Sequence, residues 1–264
     1  MLLISIVTIT YQAERTLQRT LDSVARQTYP HIEHLIVDGQ SKDKTVDMAR
    51  RYQESCSHEV TVVSEPDKGL YDAMNKGLRM AKGDYIVFLN AGDSLYADDT
   101  IQTVVDTAQS ACSGDAAQAA LPAVVYGDTA ITDGDGHFLR MRRHRPPEEL
   151  TWRSFMKGML VCHQAFYVRL DLAREMPYNL KYRHSADVDW CIRVMREAAH
   201  RKLKLANTHR VLANFEEGGD TKQNHRASLI ERYHVMSSHY GSVTTFLLHC
   251  WFVLRSLLGK GGTE

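Results

Sequence analysis

The chain has 264 residues, with 32 Lys+Arg against 32 Asp+Glu and a formal net charge of zero. That balance argues against binding to nucleic acid through bulk electrostatics and leaves only a local basic patch open. With 44 % apolar and 24 % charged residues, the composition is globular and excludes a disordered chain. The length predicts one large domain, or one domain with an extension, stable without cross-links.

The N-terminus, MLLISIVTIT, reads as a buried strand. It has no basic leader or cleavage site that would make it a signal peptide. In chain order, 2–8 is a β-branched strand run, and Leu17, Leu21, Val24 and Ala25 recur at helical spacing. His34 to Val37 is a second strand ending at Asp38, and Ser41 or Asp43 can cap a helix carrying Val46 and Ala49. Val60 to Val63 is a third strand; Leu70, Met74, Leu78 and Ala81 mark a helix; Tyr85 to Leu89 is a fourth strand. The stretch 108–120 is small and polar, a surface loop or frayed helix, and 124–126 and 164–168 read as further strands. Val188, Cys191, Ile192 and Met195 predict a helix beginning just after Asp187, and 243–258 is nearly all apolar. No run of about 18 uncharged apolar residues predicts a membrane span. Five cysteines without a C-x-x-C pair give neither a zinc spacing nor a disulfide framework, which points to a reducing cytosol.

Short apolar strands alternating with amphipathic helices predict βαβ units and a largely parallel sheet covered on both faces. In such sheets ligands bind beyond the carboxyl ends of the strands. Three of those ends are polar here: Asp38, Ser64-Glu65-Pro66-Asp67 and Asn90-Ala91-Gly92-Asp93. No G-x-G-x-x-G follows the first strand, and neither a P-loop nor a G-x-S-x-G elbow is present. Dinucleotide, ATPase and serine-hydrolase readings therefore lose their support.

The segments VDGQSKDKT (37–45), SEPDKGLYDAMNKGLRMAKGDYIVFLNAGD (64–93), CHQAFY (162–167) and SADVDW (185–190) together resemble family 2 glycosyltransferases of the GT-A fold. More narrowly, they are similar to colanic-acid-type exopolysaccharide glycosyltransferases of the WcaE kind. The resemblance is strong over about residues 1–100 and thinner through the HQA, SAD and EEGGD segments. It implies an α/β GT-A fold with a central, mostly parallel sheet flanked by helices. A domain over 1–225 would be followed by a C-terminal helical extension over 226–264.

The resemblance also assigns residues. Asp38 would accept the imide N–H of a uracil base, as a carboxylate can, and Asp67 would face the nucleotide. Tyr11, after Thr10, can pack beside a base or ribose, or be a structural tyrosine. Asn75 stands where the family often carries Arg-Asn, with Met74 in place of the arginine. The wider family has D-x-D or D-x-D-D after the fourth strand to hold a divalent cation on the diphosphate, and oxygen ligands suit Mg²⁺ or Mn²⁺. In this chain Gly92 replaces the central acid, which leaves Asp93 as metal ligand and Asn90 as a supporting oxygen. Asp187 would be the general base, with Asp189 a rival that cannot face the same way on a helix. Gly77 in its helix carries no chemistry and fits close packing.

His163 and Gln164 would lie toward the acceptor, and Gly218, Gly219, Asp220, Thr221 and His225 would form a loop closing over the diphosphate, with Lys222 or Arg226 adding charge. Arg140, Arg142, Arg143 and Arg145 can meet a lipid diphosphate or anionic headgroups, or be a solvated surface. The apolar tail can lie in a membrane interface or make a core or dimer contact.

The resulting expectation is an inverting, cation-dependent transfer from a nucleotide-sugar, UDP-linked, to a saccharide hydroxyl. The acceptor could be carried on a polyprenyl diphosphate. The enzyme would be cytoplasmic and peripheral on the membrane, and a homo-oligomer is compatible. Two other readings stay open: a nucleotidyltransferase, for which ITYQAERTL offers no Gly-rich basic loop, and a catalytically silent sugar-nucleotide binder.

Overall fold

The computed structural model describes residues 1–112, 120–217 and 225–259, with side chains for all of these but His225 and 253–259. Its first part is a run of strand–helix units: β1 (Ile4–Thr10), α1 (Leu17–Ala25), β2 (Ile32–Asp38), α2 (Thr45–Ser55), β3 (Glu59–Ser64), α3 (Leu70–Met80) and β4 (Tyr85–Phe88). Next come β5 (Ser94–Leu95), α4 (Thr100–Ser110), β6 (Val124–Thr132), β7 (Phe138–Met141), β8 (Phe166–Arg169), α5 (Leu170–Glu175), α6 (Ala186–His200) and β9 (Leu205–Glu216). Two helices close the chain: α7 (His225–Tyr240) and α8 (Ser242–Gly259).

The strands form one sheet in the order β3-β2-β1-β4-β8-β6-β9-β5, with β7 beside β6. The β3-β2-β1-β4 pairs are parallel. The sheet is mixed beyond them, because β8 runs antiparallel between β4 and β6, while β6 and β9 are again parallel. Two reversals across β8 leave β6 and β9 pointing the same way as β1. The carboxyl ends of β1, β2, β3, β4, β6 and β9 therefore share one rim. Every residue of β1, β2, β4 and β6 is buried, which is why these strands read as continuous apolar or β-branched runs. A methyl group on Gly77 would collide with Val7, so that glycine lets α3 lie close on β1.

The sequence reading placed all four N-terminal strands and the helices between them. Among the elements it passed over is β9, which at 12 residues is longer than any other described strand. His209 there has a left-handed φ of 55°, and the β6–β9 register shifts near Asp128. The bulge breaks the two-residue alternation by which a strand is recognised. Residues 113–119 of the small polar stretch lie outside the described residues; its first part belongs to α4.

Among the described residues no helix is long and apolar enough to cross a membrane. All five cysteines are free thiols. The arginine cluster is partly tied down: Arg140 pairs with Glu217 at 2.6 Å, and Arg145 pairs with Asp128.

Candidate active site

The rim begins with Asp38. Its buried carboxylate accepts from Thr10 Oγ1 (2.9 Å) and Ser41 Oγ (2.5 Å) on Oδ1, and from Ser41 N–H (2.9 Å) and Ser64 Oγ (2.7 Å) on Oδ2. Four donors fill the four lone-pair positions of a carboxylate. Asp38 thus ties together the carboxyl ends of β1, β2 and β3, and Thr10, also buried, is one of its supports. Above this knot lies Gly39. A Cβ there would stand 2.6 Å from Asp67 Oδ2 and 3.3 Å from the Tyr11 ring, so Tyr11 and Asp67 pack closely on the Gly39 backbone. Tyr11 is 68 % exposed and so is not part of the core.

Asn75 does not join them. It is buried on α3, donates from Nδ2 to Tyr178 O (3.0 Å) and accepts Tyr178 N–H on Oδ1 (2.7 Å). The resemblance placed Asn75 among the nucleotide-sugar-binding residues; here each end of its amide bonds the Tyr178 backbone. Its work is to seat Tyr178, whose ring stacks between Tyr71 (5.5 Å) and Trp190 (4.9 Å).

Beyond β4 the chain turns through Asn90–Asp93. Asp93 is buried and accepts from Gln164 Nε2 at 2.6 Å and Glu216 N–H at 3.1 Å. Burial pushes its pKa up to about 6 against the opposing pull of those hydrogen bonds. The Asn90 Oδ1 atom is buried with no hydrogen-bond partner. Gly92 has φ +102°, and a Cβ on it would collide with Glu216 Oε2. The Glu216 carboxylate pairs with Arg19 at 2.5 Å, and the Arg19 guanidinium also donates to Gly92 O at 2.8 and 3.1 Å. The space beside residue 92 is therefore filled by an acid from β9. Replacing Gly92 by aspartate, which would restore the central acid of the family pattern, is expected to destabilise the fold by about 1–3 kcal/mol through the strained backbone alone, with the Glu216 collision adding to it. Urea denaturation checks this, and an unchanged midpoint would refute it.

Asp187 sits in the first turn of α6, its side chain 18 % exposed. Tyr71 OH donates to Oδ1 at 3.1 Å, and His163 Nδ1 lies 3.6 Å from Oδ2. Burial pushes its pKa up, but His163, the Arg232 charge and the Val188 N–H outweigh burial and hold it below the usual carboxylate range. Tyr71 moves the other way: burial first, then the Asp187 charge, keep its phenol protonated and donating. Asp189, two residues on, is buried against His239 Nε2 (2.8 Å) and Arg193 Nε (2.8 Å). It clamps α6 to α7, and it faces another way from Asp187, as expected for residues two apart on a helix.

The two halves of the rim meet at His163 and Gln164. His163 reaches Asp187 through Nδ1 and Asn90 Nδ2 through Nε2 (3.4 Å), while Gln164 holds Asp93. Expected toward the acceptor, they lie between Asp187 on one side and Asn90 and Asp93 on the other. Gly219 lies outside the described residues, as does the His225 side chain. Sequence reasoning missed Tyr71, Arg19 and Glu216. Tyr71 lies within the quoted DKGLYDAMN run and Glu216 opens EEGGD, but no spacing announces contacts across 116 and 197 residues.

A second acidic group, Asp133, Asp135 and His137, has ligating atoms within 4.8 Å of one another on the β6–β7 turn. Asp133 there accepts the N–H groups of Asp135 and His137, so the turn's own hydrogen bonds account for the cluster.

Solved structures share this architecture. A TarS fragment (residues 1–349) of S. aureus in complex with UDP-GlcNAc aligns with TM-score 0.67 at 16 % identity over 89 % of this chain and 64 % of that one. This chain spans 43 % of the longer TarS chain. The mannosyltransferase PcManGT of Pyrobaculum calidifontis, in complex with GDP-Man and Mn²⁺, aligns with TM-score 0.62 at 16 % identity over 98 % of this chain and 79 % of that one. At such identities the likeness establishes the fold, GT-A. Residues 5–204 match the sequence pattern of glycosyl transferase family 2, and the chain belongs to that family. A PGL/p-HBAD biosynthesis glycosyltransferase of Mycobacterium bovis is 34 % identical over 216 residues, covering 81 % of this chain and 77 % of the relative. The protein is a glycosyltransferase.

Proposed function

We propose that the protein transfers a sugar from a UDP-sugar to a hydroxyl of a saccharide acceptor, with inversion, in the assembly of a cell-surface polysaccharide. The observation that carries this reading is the continuous polar chain Asp187–His163–Gln164–Asp93. It puts a carboxylate able to take a proton and a buried oxygen cluster on adjoining parts of one rim. The TarS fragment in complex with UDP-GlcNAc supports a uridine donor.

The base lies over Gly39 between Tyr11 and Asp67. Ser64 is exposed, so its hydroxyl can turn to water and free Asp38 Oδ2 for an imide N–H. Asp93 and the Asn90 Oδ1 atom would hold Mg²⁺ or Mn²⁺, with Glu216 beside them. The unpaired Asn90 oxygen and the all-oxygen donor set fit such an ion. The ion's contribution when bound is to neutralise charge on the diphosphate. Asp187, ionised at neutral pH, takes the proton of the acceptor hydroxyl as that oxygen attacks the anomeric carbon from the face opposite the diphosphate, and the bond from that carbon to the diphosphate oxygen breaks to release UDP. Tyr71 and His163 orient the Asp187 carboxylate.

The exposed Phe246, Leu247 and Trp251 on α8 support a peripheral seat on the cytoplasmic face of the membrane, where a polyprenyl-diphosphate acceptor would be met. The test is nucleoside diphosphate release from a panel of nucleotide-sugars, with and without Mn²⁺ or Mg²⁺ and with a lipid-linked acceptor. UDP release from one donor, dependent on the cation, is expected. If every donor neither bound nor turned over under any of these conditions, the chain would be a silent member of its family.

A further inference from the structure

The segment that enters α6 is held from the C-terminal helices. Ser185 is the N-cap of α6, but its side chain caps nothing in that helix. Arg183, His184 and Ser185 carry successive backbone N–H groups that need acceptors. All three find one on the Glu231 carboxylate of α7: Arg183 N–H on Oε1 at 2.8 Å, and His184 and Ser185 N–H on Oε2 at 2.7 and 3.1 Å. Ser185 Oγ adds a bond to Ser228 O at 3.2 Å. Bonds to an ionised acceptor are roughly twice as strong as neutral ones, and a negative charge suits a helix N-terminus. Two residues past the N-cap stands Asp187. Tyr71 and His163 touch its carboxylate, and Arg232 of α7 brings a positive charge toward it. The backbone from which Asp187 springs, however, is set by what holds 183–185.

We propose that Glu231 is a positioning residue for the transfer reaction: by fixing the backbone of 183–185 it sets the first turn of α6 and so the place of the Asp187 carboxylate. The inference rests on the reading of Asp187 as base. It makes the C-terminal helices part of the working enzyme. The boundary expected near residue 225 then separates no independent unit, since α7 also binds α6 through His239 and Asp189. A base displaced by about 1 Å loses on the order of 10²-fold in rate.

The test uses the whole chain as wild type, Asp187→Asn, Glu231→Ala, Glu231→Gln and Glu231→Asp. Steady-state transfer is measured beside calorimetric UDP binding. Glu231→Ala is expected to lower kcat roughly 10- to 100-fold, with the donor KM and the UDP affinity within about twofold of wild type. Glu231→Gln, which keeps an oxygen for His184 and Ser185, is expected to recover part of the rate. Equal losses of kcat and UDP affinity would overturn the proposal, since they would report a general loosening. An unchanged kcat in Glu231→Ala beside an inactive Asp187→Asn would overturn it alone. Wild-type transfer by Asp187→Asn would overturn the base assignment and this proposal with it. If Glu231→Ala does not fold, the glutamine and aspartate variants carry the same comparison.

Discussion

Replacing Asp187 by asparagine is expected to cut sugar transfer by roughly 10²- to 10⁴-fold, the usual worth of a placed general base, while UDP binding stays at the wild-type level. Asparagine keeps the size of the side chain and an oxygen for the Tyr71 hydroxyl, while the basicity and the charge facing His163 and Arg232 are lost. Asp189→Asn is the matched control. Its carboxylate is buried between His239 and Arg193, so the change is expected to lower the melting temperature and leave transfer largely intact. Steady-state kinetics of the two variants side by side decide the matter, and a reversed pattern would move the base to Asp189. The pH dependence follows from the same environment. Asp187 is held below the usual carboxylate range, and activity needs its ionised form. Its titration therefore contributes no loss of rate between about pH 5 and pH 8.

Asp93→Asn is expected to have two opposite effects. Cation-dependent binding of UDP should fall sharply, since the one carboxylate kept in the 90–93 turn is gone. Stability at neutral pH should rise. Burial lifts the Asp93 pKa from its ordinary 3.8 to about 6, so the folded chain holds this proton more tightly than the unfolded chain. An acid raised in this way costs nothing below both values. The cost grows as pH climbs between them and is constant above about 6. The gap corresponds to a cost on the order of 3 kcal/mol at pH 7.5. Asparagine never ionises, and the Gln164 amide can turn to meet it, so the variant should melt higher than wild type at pH 7.5, with the gain shrinking toward zero as pH falls below 3.8. Thermal denaturation at pH 7.5 and below pH 3.8, without added metal, gives the comparison. A gain that did not depend on pH would show that the Asp93 charge is not the source of the cost. The arrangement is a stability sacrifice of the kind expected where a binding site needs a buried charge.

The sequence by itself determined the repeating strand–helix units, the rim on which they end, and which rim residues carry oxygen. These depend on local periodicity and on the rule that strands of a parallel sheet, covered on both faces, must be apolar. Asp38, Asp67 and Asp93 were conspicuous as acids on or just after strand ends, but their roles and that of Asp187 came from the resemblance to family 2 glycosyltransferases. The partners of these acids were not legible, because partnership is a matter of distance in space.

Only the tertiary structure decided that Asn75 serves Tyr178, that His163 and Gln164 join the two halves of the site, and that Glu216 fills the room beside Gly92. The same holds for Glu231, which reaches back 46 to 48 residues to the entry of α6. Asn75 shows the limit plainly: a polar residue on the inner face of a helix must be satisfied, but the helix does not say by what. Strand β9 shows another, since a bulge with a left-handed His209 erased the alternation that would have revealed it. Periodicity is a property of neighbours along the chain, and it reports which face is buried. The identity of what lies against that face is set by how the sheet reverses at β8 and where α7 returns, and those are properties of the whole chain.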